Sequence, residues 1–101
     1  MKPMALTSLA IIRTLNSHKK ELARYGVRRI GLFGSFLKGT AKRGSDIDFL
    51  VVFKNPTFDH YIELKFYLEN LFKKKIDLVM EDTLKPALKY VKEEAKYAEA
   101  G

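Results

Sequence analysis

The feature that most constrains the fold is an apolar run that begins with two acids, Asp46-Ile47-Asp48-Phe49-Leu50-Val51-Val52-Phe53. The apolar part is continuous and does not alternate with polar residues, which is typical of a strand covered on both faces. We therefore predict a strand over residues 46–53 near the centre of a sheet. Its two carboxylates stand at the start of the strand.

The remaining pattern predicts an α/β (α+β) domain with a small mixed sheet flanked by helices. Helices are predicted where apolar residues recur at helical spacing, over residues 8–24, 58–72 and 86–98. Strands are predicted where short β-type runs occur, over residues 28–33, 46–53 and 76–80. The length of 101 residues fits a single domain over residues 1–101.

Composition narrows the class of protein. The chain has no cysteine, so neither a disulfide framework nor a thiolate zinc site is available to it. No apolar run approaches the ~20 residues that span a bilayer, and the amino terminus lacks a signal-peptide core. We therefore expect a cytoplasmic protein that does not bind membranes. The formal net charge of +7 favours a polyanionic partner, which could be nucleic acid, a nucleoside triphosphate or an acidic protein surface.

Asp46 and Asp48 are the first candidates for chemistry. Residues two apart in a strand point to the same face with Cα atoms roughly 7 Å apart, so the two carboxylates project side by side and repel each other. Such a pair is costly unless a cation lies between its members, and hard oxygen ligands favour magnesium or manganese over zinc. The alternative is a solvated strand end with two ordinary acids.

The dipeptide Gly34-Ser35 follows the strand predicted over 28–33. Where a strand breaks into a turn, exposed backbone N–H groups and a hydroxyl can hold a phosphate. The Gly-Lys-Ser/Thr ending of a Walker A loop is absent, which disfavours a P-loop ATPase. The alternative is a tight turn that requires a small residue.

Asp77 is the one acid in the apolar run Ile76–Met80. If its strand lies beside the strand that carries Asp48, three carboxylates converge, which suits two-metal displacement at a phosphorus atom. The alternative is a lone acid neutralised by the three preceding residues, Lys73, Lys74 and Lys75. Three acids together with a phosphate-binding turn are more specific than any one of these features. The combination favours a catalytic site over the structural alternatives given above.

With these motifs the chain resembles the DNA polymerase β nucleotidyltransferase superfamily, and in particular the minimal nucleotidyltransferases, the MntA-like antitoxins paired with HEPN-domain toxins. The resemblance rests on Gly34-Ser35, ten further residues, and then Asp46-x-Asp48 followed by Phe49-Leu50-Val51-Val52. Ile76-Asp77-Leu78-Val79 stands where the family keeps its third carboxylate, and Leu84-Lys85-Pro86 follows. Nearly the whole chain is covered.

The resemblance implies a palm fold with a mixed sheet. It also implies ATP as a substrate and magnesium as a cofactor, with two ions expected and manganese as an alternative. Asp46, Asp48 and Asp77 would be the catalytic residues and the metal ligands. Asp77 would help to deprotonate the attacking hydroxyl.

The resemblance also implies where the nucleotide binds. Gly34 and Ser35 would hold the triphosphate, and Lys38 and Ser45 complete the expected nucleotide-binding set. Family members commonly carry arginine where this chain has Lys38. Lysine keeps the charge but loses the two-pronged geometry of arginine.

The partner that the resemblance implies is a HEPN ribonuclease toxin, held with this chain in a hetero-oligomer. A tyrosine of the toxin would receive AMP from ATP, and the modified toxin would lose its RNase activity. Other acceptors stay open, including a small-molecule alcohol and the end of an RNA. A binding-only antitoxin with a vestigial active site also stays open. A nucleic-acid-binding module is the least favoured reading, and it predicts steeply salt-dependent binding.

The remaining titratable and aromatic side chains are not expected to form sites. His18 and His60 are isolated in the sequence, so neither is expected to join a metal cluster. Four tyrosines could stack on adenine, but at helical spacing they are expected to pack in the core or on a partner surface, namely Tyr61, Tyr67, Tyr90 and Tyr97.

Overall fold

The structure is a computed structural model that describes residues 6–84 and 90–98. The helices in these ranges are α1 (Ser8–Ser17), α2 (Lys19–Arg24), α3 (Gly34–Lys38), α4 (Phe58–Phe72) and α5 (Tyr90–Glu94). The strands are β1 (Val27–Phe33), β2 (Ile47–Phe53), β3 (Ile76–Met80) and β4 (Lys96–Tyr97), and a 3-10 turn covers Glu81–Thr83. None of the helices described is long and apolar enough to span a membrane.

The strands form one sheet in the order β3-β2-β1-β4. Strand β2 is antiparallel to β1 and parallel to β3, so the sheet is mixed. Strand β2 lies between two strands, and Phe49, Leu50 and Val51, whose side chains alternate between the two faces of the sheet, have no exposed surface. The predicted α/β (α+β) class with a small mixed sheet, and the interior position of β2, are confirmed.

Helices on one face of the sheet bury the hydrophobic core. Leu15 of α1 and Leu64 and Leu68 of α4 are fully buried in the same cluster as Leu32 of β1 and Phe49 of β2. Each such side chain stabilises the fold by roughly 2 kcal/mol relative to an exposed one. This packing fixes the positions of the strand ends that carry the predicted site.

The prediction of one continuous helix over 8–24 is wrong, because two helices meet at His18. The His18 N–H donates to the carbonyl of Leu15, three residues earlier, at 3.0 Å, and its backbone φ of −116° and ψ of 28° are not helical. Its ring Nδ1 also lies 2.8 Å from the carbonyl oxygen of Thr14. Side chains that bond nearby carbonyls compete with regular helix formation. The chain therefore ends α1 at Ser17 and begins α2 at Lys19.

The predicted terminal helix over 86–98 is also wrong in its C-terminal part. The predicted start of this helix lies in residues 85–89, which are outside the described residues. Helix α5 ends at Glu94, and β4 then pairs antiparallel with Gly31 and Leu32 of β1.

The edge of β1 explains why the chain forms a strand there. The Ala98 N–H donates to the carbonyl of Ile30 at 2.9 Å, which continues the pairing beyond β4. The Tyr97 ring packs against Gly31, where a Cβ atom would come within 2.7 Å of the ring. An unpaired strand edge and a flat site for an aromatic ring are tertiary features, and they override the helical spacing in the sequence.

Candidate active site

The register of the sheet brings two of the predicted acids together. Strands β2 and β3 are parallel, and Asp48 is the direct pairing partner of Asp77. On the other side of β2, Asp48 pairs with Phe33, the last residue of β1. Gly34 therefore begins the turn directly beside Asp48. The condition stated above, that the strands of Asp48 and Asp77 are neighbours, is met.

Gly34 suits this position because of its backbone conformation and because of its neighbour. Its φ of 75° lies in the left-handed region, which residues with a side chain rarely adopt. A Cβ atom on Gly34 would overlap Oδ2 of Asp48 and would lie 2.9 Å from its Cγ. The next residue, Ser35, donates its backbone N–H to the Asp48 carboxylate. The turn and the acid are thus in direct contact.

The ionised form of Asp48 is unfavourable in this setting. Burial raises the pKa of Asp48, and the charge of Asp77, a hydrogen bond with the Asp77 carboxyl group and the charge of Asp46 raise it further, from the usual 3.8 to about 6. The hydrogen bond from the Ser35 N–H acts in the opposite direction and is outweighed. At neutral pH the site therefore holds more negative charge than its neighbours neutralise.

These oxygen donors fit a hard divalent cation that is shared with a phosphate substrate. Asp46 and Asp77 are exposed and Asp48 is partly buried, so the carboxylates are accessible. Among residues 6–84 and 90–98, no group of three or more histidine, cysteine, aspartate or glutamate side chains is placed so that it could hold a metal ion. Magnesium commonly takes only one or two carboxylates, with substrate phosphates and water as its other ligands. The acids suit that mode of binding.

A tight turn directs the chain into Asp46. The Ser45 hydroxyl accepts a hydrogen bond from the Lys42 N–H at 2.8 Å, and the Ser45 N–H donates to the Lys42 carbonyl at 2.9 Å. These two bonds give Ser45 a structural role immediately before β2. Its contact with a nucleotide stays a prediction.

Lys38 ends α3, one helical turn after Ser35. Its Nζ lies 3.9 Å from Oε2 of Glu94 in α5, and the two side chains are 59% and 49% exposed. Ion pairs as exposed as this one contribute little, so the ammonium group can exchange its partner for a phosphate at little cost. The contact of Lys38 with a nucleotide also stays a prediction.

Comparison with known proteins assigns this arrangement to a family. The nucleotidyltransferase domain family matches residues 15–98. The protein adenylyltransferase MntA of Thermococcus cleftensis is 48% identical over 88 residues, which cover 84% of this chain and 89% of that relative. The chain belongs to the nucleotidyltransferase family, in its MntA-like minimal group.

Solved structures agree with the fold of this minimal nucleotidyltransferase. A structure assigned as a minimal nucleotidyltransferase is similar with a TM-score of 0.78 and 31% identity, over 93% of this chain and 98% of the other. A toxin-antitoxin structure with AMP-PNP is similar with a TM-score of 0.67 and 25% identity, over 85% of this chain and 73% of the other. The predicted palm-like fold is confirmed, and the protein is a nucleotidyltransferase.

Sequence reasoning missed a charged cluster in this nucleotidyltransferase. Glu81 follows β3 directly, its side chain is only 3% exposed, and it accepts hydrogen bonds from Arg29 Nη2 at 2.9 and 3.0 Å. Lys92 of α5 lies 3.5 Å from the same carboxylate, and the Arg29 guanidinium lies 4.4 Å from the centre of the Tyr97 ring. The cluster joins α5 and β4 to β1 and to the end of β3. The position of Glu81 directly after an apolar strand could have indicated a buried acid. Its partner Arg29 could not be recognised, because it is 52 residues away in the sequence.

Two of the tyrosines pack as predicted. The Tyr61 hydroxyl donates to the Leu78 carbonyl at 2.7 Å, which ties α4 to β3. The Tyr67 ring lies 5.1 Å from that of Tyr25, centre to centre, between α4 and the end of α2. Both rings therefore contribute to packing between elements.

Proposed function

We propose that this nucleotidyltransferase transfers AMP from ATP to a hydroxyl group of a partner protein. The observation that carries the proposal is the contact of Asp48 with Asp77 on one side and with the Gly34-Ser35 turn on the other. An acid pair with uncompensated charge requires cations, and a nucleoside triphosphate supplies the phosphate oxygens that share them.

In this proposal the triphosphate lies at the start of α3. The backbone N–H of Gly34 and the Ser35 hydroxyl donate hydrogen bonds to phosphate oxygens, while the Ser35 N–H stays bound to Asp48. Gly34 has no side chain, so the phosphate can approach the backbone closely. Lys38 adds a positive charge at the end of the same helix, and Ser45 adds a hydroxyl beside Asp46.

Asp46, Asp48 and Asp77 would hold magnesium, with two ions expected and manganese able to replace them. When bound, the metal supplies charge neutralisation at the phosphates and orients the acceptor. Asp77 also accepts the proton of the attacking hydroxyl. A bond forms between the acceptor oxygen and the α-phosphorus, and the bond from that phosphorus to the α,β-bridging oxygen breaks. Pyrophosphate leaves, and the acceptor carries AMP as a phosphodiester.

We infer that the acceptor is a tyrosine of a HEPN-domain toxin, which makes this chain an antitoxin in a hetero-oligomer with that toxin. Two comparisons support a protein acceptor in a toxin-antitoxin pair. The Thermococcus relative is named a protein adenylyltransferase, and the similar solved complex is a toxin-antitoxin with AMP-PNP. The HEPN class of toxin and the tyrosine follow from the resemblance of the sequence.

The test is transfer of α-labelled AMP from ATP, with magnesium, onto proteins of the source cell's lysate. We expect a labelled protein band with the wild type and with Asp82→Asn, which changes an exposed acid just beyond β3. The band should be lost with Asp77→Asn, with Asp46→Asn/Asp48→Asn and with EDTA, and excess manganese should restore the EDTA-treated sample.

A different outcome would point to a binding-only antitoxin. In that case no protein is labelled, and Asp46→Asn/Asp48→Asn still binds and neutralises the toxin as well as the wild type. Labelling of RNA or of a small alcohol in place of protein would change the acceptor and leave nucleotidyl transfer intact.

A further inference from the structure

Helix α4 carries an apolar stripe on its solvent-exposed face. Phe58, Ile62 and Phe66 recur every four residues, so they lie along one face of the helix. Phe58 and Phe66 are 76% and 58% exposed, and Ile62 is partly exposed. The core contact of the same helix is made by other residues, among them the fully buried Leu64 and Leu68. The stripe is therefore not needed to hold α4 on the sheet.

The stripe has acidic neighbours. Asp59 lies three residues before Ile62, and Glu63 and Glu69 lie three residues before and after Phe66. Residues three apart are adjacent on a helix surface, so each acid borders the stripe. The helix has one lysine against these three acids, a formal charge of −2, whereas the whole chain carries +7. None of the ion pairs within residues 6–84 and 90–98 involves these acids, so their charges are available to a partner.

These charges decide among the possible occupants of the stripe. The phosphates of a nucleic acid and the headgroups of anionic lipids would be repelled by the carboxylates. In a two-fold contact between copies of this chain the same acidic faces would meet, and each copy also carries a net charge of +7. A basic protein surface supplies both the apolar groups for the stripe and the cations for its borders.

We propose that the exposed face of α4 binds a helix of a partner protein, one with aliphatic residues at helical spacing flanked by lysine or arginine. Residues four apart form the ridges by which helices pack, so Phe58, Ile62 and Phe66 would enter the groove of the added helix. The acids beside them would pair with its cations.

The position of α4 places such a partner near the acids of the active site. Phe66 is six residues before the end of α4, about 9 Å along the helix axis. Strand β3 begins at Ile76, four residues after α4 ends at Phe72, and Asp77 is its second residue. The C-terminal end of α4 and the acids therefore share one end of the sheet. The proposal itself concerns docking and does not depend on the reaction proposed above.

The test uses the full chain and a fluorescein-labelled peptide of about 18 residues, long enough to form a helix, with leucine on one face and lysine on both sides of that face. Binding is measured by anisotropy and located by amide NMR, and we expect shifts within residues 58–70. Phe66→Ala should weaken binding about tenfold, because the ring loses its contact with the leucines. Leu9→Ala shortens a similarly exposed apolar side chain on α1 and should leave binding unchanged.

The acidic border is tested by charge reversal. Glu63→Lys should weaken binding of the lysine peptide at least about threefold, and it should strengthen binding of a second peptide that has glutamate in place of each lysine. Glu93→Lys makes the same change at an exposed position of α5 and should change both affinities by less than about twofold.

Several results would overturn the proposal. They are an absence of amide shifts in α4 at about 1 mM peptide, equal binding of a peptide with the same composition in scrambled order, equal loss of binding in Leu9→Ala, or concentration-dependent dimerisation that Phe66→Ala removes. Shifts of the α4 amides by decauridylate or by phosphatidylserine vesicles would also overturn it, since they would identify a different occupant. Asp46→Asn/Asp48→Asn should bind the peptide as the wild type does, so failure of docking and failure of the proposed reaction are distinguishable.

Discussion

Replacement of Asp48 by asparagine should stabilise the protein when no metal is present, while it removes transfer of AMP. The asparagine amide can donate to the Asp77 carboxylate, and its carbonyl can still accept the Ser35 N–H that Asp48 accepts now. The substitution therefore keeps the hydrogen bonds and removes one of the mutually repelling charges. A residue that serves only the fold would give the opposite result.

The magnitude follows from the pKa of Asp48. Its rise from 3.8 to about 6 corresponds to about 3 kcal/mol between the two protonation states. Because the carboxylate is partly exposed and solvent screens it, we expect about 1 kcal/mol of the effect in the free energy of unfolding. For a domain of this size that is a rise in Tm of about 5 °C.

The sign depends on pH in a defined way. Between pH 3.8 and about 6 the folded state binds more protons at Asp48 than the unfolded state, so wild-type stability falls as the pH rises through this window. Below it the carboxyl group is protonated in both states, and above it the full penalty is present. The advantage of Asp48→Asn should therefore be greatest at neutral pH and absent near pH 3.5.

The assay is urea or thermal unfolding in EDTA at a series of pH values, with Asp82→Asn as the control for removal of an exposed acid. Addition of magnesium and ATP should then stabilise the wild type more than Asp48→Asn, since ligands stabilise the state that binds them. If Asp48→Asn is no more stable than the wild type at neutral pH, or if its advantage does not shrink towards acid pH, Asp48 does not carry an unfavourable charge and the reasoning is refuted.

Three further substitutions test other parts of the structure. Gly34→Ala should lower the free energy of unfolding by roughly 2 kcal/mol, since alanine at positive φ is strained and its Cβ overlaps a carboxylate; an unchanged urea midpoint would contradict this. Glu81→Gln should lower it by about 1–2 kcal/mol because a buried acceptor of Arg29 loses its charge, whereas Asp82→Asn should change it by less than about 0.5 kcal/mol in the same urea titration. Lys38→Arg should lower the KM for ATP about threefold at unchanged kcat, because a two-pronged cation binds phosphate better; a rise in KM would argue against a phosphate contact by Lys38.

The parts of the structure that depend on short stretches of sequence could be predicted. The continuous apolar run of β2 indicated an interior strand because few polar side chains can be buried there. The single acid in the run of β3 made Asp77 a candidate, and the parallel pairing with Asp48 places it beside that acid. Gly34 was predicted to lie in a turn. Its contact with Asp48 depends on the pairing register of β1 and β2, which could not be predicted from the sequence.

The parts that depend on distant residues could not be predicted. Tyr97 is at helical spacing in the sequence. It forms a strand because its backbone pairs with the edge of β1 and its ring packs on Gly31, which has no side chain. In the sequence Glu81 is an ordinary acid after a strand, and its partner Arg29 comes from β1, two strands away from β3 in the sheet. In both cases the deciding group lies more than fifty residues away along the chain.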